Sequence, residues 1–302
     1  MSPEDDYFRR LEKAAEGVKA VLAAKGVPDE KLSFGGHGLV PVKNPRPPND
    51  ANSNFLGNRA LGDWAENILK DLIQNSSPDF QAVQYGDSNQ IAAGDEGFKD
   101  YYLGQLEATR LCGKRPDLLI YPKGSGMNDD FFSEKRISET RAEAMEARGA
   151  IEVRSSKFKA LRYMTVRAAE KSDGKKVDRE CPSFTVKVED LIIVFRWMGE
   201  FKVPQIYAQV FFDSIFAINF LRIFEIIASG SGFKIEKPKQ SQEKATIMIP
   251  ITEGKQIAAC LEEPGFKTVI RETRLGRVDA FVAPSGGKFE LDTDALDAVF
   301  SY

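Results

Sequence analysis

Two carboxylates stand where a carboxylate is costly. Asp117 precedes Leu118-Leu119-Ile120-Tyr121, and Glu152 lies inside Ala150-Ile151-Glu152-Val153-Arg154-Ser155-Ser156. Both runs are rich in strand formers and bounded by Gly or Pro, so both read as strands. An acid buried in an apolar strand needs a partner. A divalent cation shared by the two acids satisfies both, and Mg²⁺ takes few carboxylates together with water and substrate phosphate. By the two-residue period, Glu152, Arg154 and Ser156 share one strand face, with acid and guanidinium about 7 Å apart along it. Acid and base on one strand, facing a second acid, suit metal-assisted phosphodiester cleavage. The metal activates water and the cation neutralises developing phosphate charge.

The elements that must position these residues follow from periodicity. Residues 3–25 read as a helix, with Ser2 as N-cap, Pro3 at N1, acids in the first turn and Gly26 as the stop. Residues 27–57 are rich in Gly, Pro and Asn and read as loop. A helix over 60–74 carries Leu61, Ala65, Ile68, Leu69 and Leu72 on one face, with Glu66 on its flank. A strand at 80–85, a loop at 86–97 and a short helix at 101–109 lead to the 116–121 strand. Strong helix formers fill 138–148, and the 150–156 strand follows. A basic helix over 157–169 comes next. The near-continuous apolar runs 191–197 and 206–212 read as buried central strands, and 219–228 as an apolar helix. Beyond them, 246–252 reads as a strand, 254–262 as a helix and 268–282 as a hairpin. This order implies an α/β core with a mixed sheet.

Pro116-Asp117, with Glu152-Val153-Arg154 placed 35 positions after Asp117, resembles the PD-(D/E)XK nuclease signature. Arg154 stands at the family's lysine position. Gly62-Asp63-Trp64-Ala65-Glu66 resembles the opening of the helix that donates an extra glutamate in that superfamily. Ser183–Asp190 and Tyr207–Asp213 resemble stretches of type II restriction endonucleases, most nearly the AccI-type group. The resemblance spans residues 55 to 225. It implies a restriction-endonuclease-like α/β core, a central mixed β-sheet flanked by helices, with an N-terminal helix and a C-terminal α+β extension. The expected division is 1–57 for the helix and loop arm, 58–232 for the catalytic core and 233–302 for the extension. The implied activity is Mg²⁺-dependent hydrolysis at a specific double-stranded DNA sequence, by a homodimer matching a palindromic site. A repair or structure-specific nuclease, or an inactive DNA-binding protein of the same fold, are the alternatives. Asp117 and Glu152 would hold the metal, and Glu66 would support them. Arginine stays protonated, with a pKa above about 12, so Arg154 would orient water or stabilise the phosphorane rather than act as a base. Lys157 is the rival for that position. It lies on the opposite face of a regular strand, so a bulge or the following turn would have to bring it round.

Composition sets the bounds. The chain has 302 residues, 42% hydrophobic and 29% charged, with net charge −3. That describes a globular protein, and DNA contact would come from local patches. One basic run follows the Glu152 strand and includes Lys159 and Arg162. Arg271, Arg274 and Arg277 recur on the expected hairpin, where arginines can read guanine edges. No run reaches the ~18–20 apolar residues of a membrane span, and the acidic N-terminus lacks a signal-peptide core. Three scattered cysteines form no metal or disulfide pattern, which fits a reducing cytoplasm. His37, the one histidine, lies in a Gly-rich run without acidic neighbours, which argues against histidine-based hydrolases.

Overall fold

The computed structural model describes residues 2–27, 32, 53–86, 96–133, 135, 137–236, 245–272 and 276–301. His37, Arg274 and most of the expected 27–57 and 86–97 loops lie outside the described residues.

The chain opens with α1 (Pro3–Ala24), capped as expected by Ser2, whose Oγ accepts from the Asp5 N–H while the Asp5 carboxylate accepts from the Ser2 N–H. Then come α2 (Ser53–Ser76), β1 (Phe80–Gln84), α3 (Phe98–Cys112) and β2 (Leu118–Pro122). The short α4 (Asp129–Ser133), a 3-10 turn at Ile137–Glu139 and α5 (Arg141–Met145) lead into β3 (Gly149–Ser155). The middle of the chain gives α6 (Ala160–Ser172), β4 (Ser183–Lys187), α7 (Val188–Phe201), β5 (Gln205–Val210), β6 (Ser214–Asn219) and α8 (Phe220–Ala228). The rest is β7 (Lys234–Glu236), β8 (Thr246–Pro250), β9 (Lys255–Glu262), β10 (Gly265–Glu272), β11 (Val278–Ser285), β12 (Lys288–Leu291) and α9 (Thr293–Phe300).

A mixed sheet of seven strands, in the order β1-β2-β3-β5-β6-β9-β12, forms the centre. The pairing of β3 with β5 is parallel, and the other neighbours run antiparallel. Strand alternation sorts side chains to two layers. Ile151, Val153, Ile206 and Ala208 face a core that includes Leu61, Trp64 and Leu69 of α2 and Leu296 and Val299 of α9. Ala150, Leu119, Tyr121 and Tyr207 face the other core, with Tyr7 and Leu11 of α1, Trp197 and Met198 of α7 and Phe220 and Phe224 of α8. A small sheet, β4-β8-β7, and the β10–β11 hairpin complete the described fold. None of the described helices is long and apolar enough to cross a membrane.

Four expectations are corrected. The run 191–197 is not a strand but the middle of α7, with Val188, Leu191, Ile192, Val194, Trp197, Met198 and Phe201 buried at helical spacing. Glu189 and Asp190 sit in its first turn, where acids suit the positive end of the helix. The run 254–262 is a strand, β9, because its backbone pairs with β6 on one side and β12 on the other. Residues 53–57 are helical rather than loop, since Leu56 is buried and Ser53 Oγ donates to Asp279 at 3.0 Å. The 138–148 helix is reduced to the 3-10 turn and α5.

Candidate active site

Asp117 sits one residue before β2, and its N–H donates to the Ile151 carbonyl at 3.0 Å. The register Leu118↔Ile151 sets Asp117 opposite Glu152 one step further along. Directly opposed residues of antiparallel strands have Cβ atoms about 4.5–5.5 Å apart. Asp117 Oδ2 accepts the Val153 N–H at 2.7 Å, which orients the carboxyl group. Its carbonyl oxygen accepts from the Tyr85 and Gly86 N–H groups at 2.9 and 3.1 Å. A Cβ at Gly86 would lie 3.2 Å from the Asp117 Cα, so the absent side chain permits this close crossing.

Glu152 is sealed on the α7 side of β3, only 1% exposed. Its Oε1 pairs with Lys114 Nζ and with Arg154 Nη2, the latter at 3.0 Å. Its Oε2 is buried with no hydrogen-bond partner among the described residues. Arg154 Nη2 also reaches Asp190 Oδ2 at 2.6 Å. Glu66, buried on α2, accepts from Gln84 Nε2 at 3.1 Å and interacts electrostatically with Asp117, Glu152 and Lys114.

These charges govern one another's protonation. Burial pushes the Asp117 carboxyl up to about 8, and the Glu152 carboxylate adds to the push. Burial also raises Glu66. Burial pulls Lys114 down, but the carboxylates of Glu152 and Asp117 outweigh it and hold the ammonium above its usual range. Arg154 is likewise held above its usual range: burial pulls it down, and Glu152, Tyr207, Asp190 and Asp117 together outweigh that pull. Four carboxyl groups, those of Glu66, Asp117, Glu152 and Asp190, thus meet two side-chain cations.

The residues fit a divalent cation in one specific sense. Two opposed, desolvated carboxyl groups repel each other, and one carries an oxygen without a partner among the described residues. Among the described residues no group of three or more His, Cys, Asp or Glu side chains is arranged to hold a metal. A site of two carboxylates completed by water and phosphate is the pattern Mg²⁺ prefers.

The structure brings together Asp117, Glu152, Arg154 and Glu66. Lys157 is exposed on the bend after β3, with no described contact to this cluster. Lys159 pairs with Glu263 at 2.5 Å, and Arg162 is exposed on α6. Arg271 sits opposite Asp279 in the hairpin, and Arg277 Nη2 reaches Asp279 at 2.8 Å. Sequence reasoning missed Lys114 and Asp190. Lys114 stands three residues before Asp117 across a proline, and no strand or helix period links the two. Asp190 opens a helix that the sequence reading made into a strand.

The AccI restriction endonuclease family matches this chain over residues 22–173 and 165–302. No curated protein and no solved structure matches it. The matched segments take in Asp117, Glu152 and every strand of the sheet, and the chain belongs to the AccI restriction endonuclease family.

Proposed function

We propose that the protein is a type II restriction endonuclease that hydrolyses phosphodiester bonds at a specific duplex DNA sequence with Mg²⁺, on a restriction-endonuclease core. The observation that carries this reading is the opposition of Asp117 and Glu152 across two neighbouring strands, with Glu152 Oε2 lacking a hydrogen-bond partner among the described residues. Asp117 and Glu152 would hold the ion. When bound, Mg²⁺ supplies Lewis-acid activation of the attacking water and neutralises charge on the phosphate. Arg154 holds Glu152 in place, and Glu66 adds negative charge beside the pair. In this reading residues 58–232 carry the chemistry, and 233–302 extend the core with β9, β12 and α9. Lys159, Arg162, Arg271, Arg274 and Arg277 contribute DNA contacts, and two copies act on a palindromic site.

The second reading is a DNA-binding protein without activity. In its favour, Lys114 and Arg154 already neutralise Glu152. Incubation with plasmid DNA and Mg²⁺, with and without chelator, separates the two. Discrete fragments that vanish with chelator are expected, and Asp117→Ala and Glu152→Ala should each abolish cutting while binding persists. If both variants still cut, the site is elsewhere.

A further inference from the structure

We infer that Lys114 is the cation that contacts the scissile phosphate, in place of the residue two positions after Glu152. This rests on the nuclease reading above. Arg154, at that position, is already engaged. Its Nη2 lies within 2.6 Å of Asp190 and 3.0 Å of Glu152, so carboxylates meet it from two elements. Lys157 is turned out to solvent. Lys114 differs from both. Among the described residues Glu152 is the one carboxylate within ion-pair distance of its ammonium. The Lys114 side chain is 31% exposed where that of Glu152 is 2%, so the lysine carries its ammonium to the sealed acid on a stem that reaches the surface. An ammonium carries three donors. One serves Glu152, and two remain for phosphate oxygens.

The backbone that presents Lys114 is firmly held. Gly113 has φ +83°, and a Cβ there would overlap the Ile193 carbonyl oxygen and the Trp197 nitrogen of α7. The Lys114 N–H donates to that same Ile193 carbonyl at 3.1 Å. Arg115 stacks its guanidinium 4.8 Å from the Tyr85 ring centre and donates to the Lys135 carbonyl at 2.5 Å. Asp117 is tied to Ile151 and Val153. One five-residue segment therefore delivers an acid and a cation to the same spot. A group fixed in this way needs no reorganisation as charge develops, which is the condition for electrostatic catalysis.

The role is one of charge. The water oxygen forms a bond to phosphorus and the ester P–O bond to the departing sugar oxygen breaks. The water loses a proton to solvent and the departing oxygen gains one from solvent. Lys114 neither gives nor takes a proton; it holds the non-bridging oxygens as their negative charge grows.

The test compares wild type, Lys114→Gln and Lys114→Arg on a duplex that carries a mapped cut. Lys114→Gln removes the charge and retains an N–H donor on a shorter side chain. Its single-turnover cleavage should fall at least about 100-fold, the loss seen when one charge-stabilising donor is removed. Binding of the same duplex without divalent ion supplies a second readout. There the slope of log affinity against log salt should shrink by about 0.9, the share of one phosphate contact. Lys114→Arg should keep the wild-type slope. Melting curves establish that each variant is folded. Cleavage by Lys114→Gln within about threefold of wild type overturns the assignment. So does lost cleavage with an unchanged slope, since that marks support of Glu152 rather than contact with phosphate. If the wild type cuts no DNA at all, the nuclease reading fails. If it cuts and Lys114→Gln cuts equally well, only the lysine assignment fails.

Discussion

Replacing Asp117 by asparagine should make the folded chain harder to unfold while removing its activity. The carboxyl group is buried opposite Glu152 and pushed from 3.8 up to about 8. A folded-state value above the unfolded one means that the native state keeps a proton the unfolded chain has released. Stability therefore falls as pH rises through the window from 3.8 to about 8, and is flat above it. At about 1.4 kcal/mol per pH unit, the ceiling on that loss is roughly 5–6 kcal/mol. Relaxation and water entry around a buried charge remove much of such a penalty, so about 1–3 kcal/mol is the expected gain at pH 8.5. Asparagine keeps an oxygen for the Val153 N–H, so the orienting hydrogen bond survives. The assay is thermal or urea unfolding of wild type and Asp117→Asn in metal-free buffer from pH 5 to pH 9. The variant should be the more stable at pH 8.5, and its advantage should shrink toward pH 5. A variant that melts at or below wild type at pH 8.5, or a gap that does not widen with pH, would refute the repulsion argument.

Mg²⁺ should raise the melting temperature of the wild type, and by about 2.7 kcal/mol in stability at 100 times its dissociation constant. Asp117→Asn and Glu152→Gln should lose that response; an equal shift in both variants would place the ion elsewhere. A separate prediction concerns α6, whose N-cap residue Lys159 supplies no side-chain cap. Instead the Asp213 carboxylate accepts from the N–H groups of Ala160, Leu161 and Arg162 at 2.7, 2.9 and 3.2 Å. Asp213→Ala should cost about 1–2 kcal/mol in urea unfolding, and a loss below a few tenths would show that water replaces the cap.

The acidic pair was legible because strands declare themselves locally: short apolar runs, Gly and Pro bounds, and one acid in or beside each. What could not be read was whatever depended on distant partners. In α7 the run Leu-Ile-Ile-Val-Phe favours a strand residue by residue, yet burial at 188, 191, 194, 197 and 201 follows a helix. In β9 the run Lys-Gln-Ile-Ala-Ala-Cys-Leu-Glu favours a helix, and the waiting edge of β6 overrides that propensity. Missing α7 hid Asp190, and with it the second carboxylate that claims Arg154. Lys114 was hidden for another reason. Its place is set by Gly113 against α7, a contact between segments about 80 residues apart in the chain, which no local spacing encodes.

β12 is one of the two edge strands of the large sheet, the other being β1. It is formed by Lys288–Leu291, so a chain interrupted ahead of residue 288 would replace this four-residue rim by the eight-residue β9, a longer row of unpaired backbone donors and acceptors. Such a rim recruits strands from other molecules. Trimming the tail should therefore yield sticky, self-associating material rather than a smaller working enzyme.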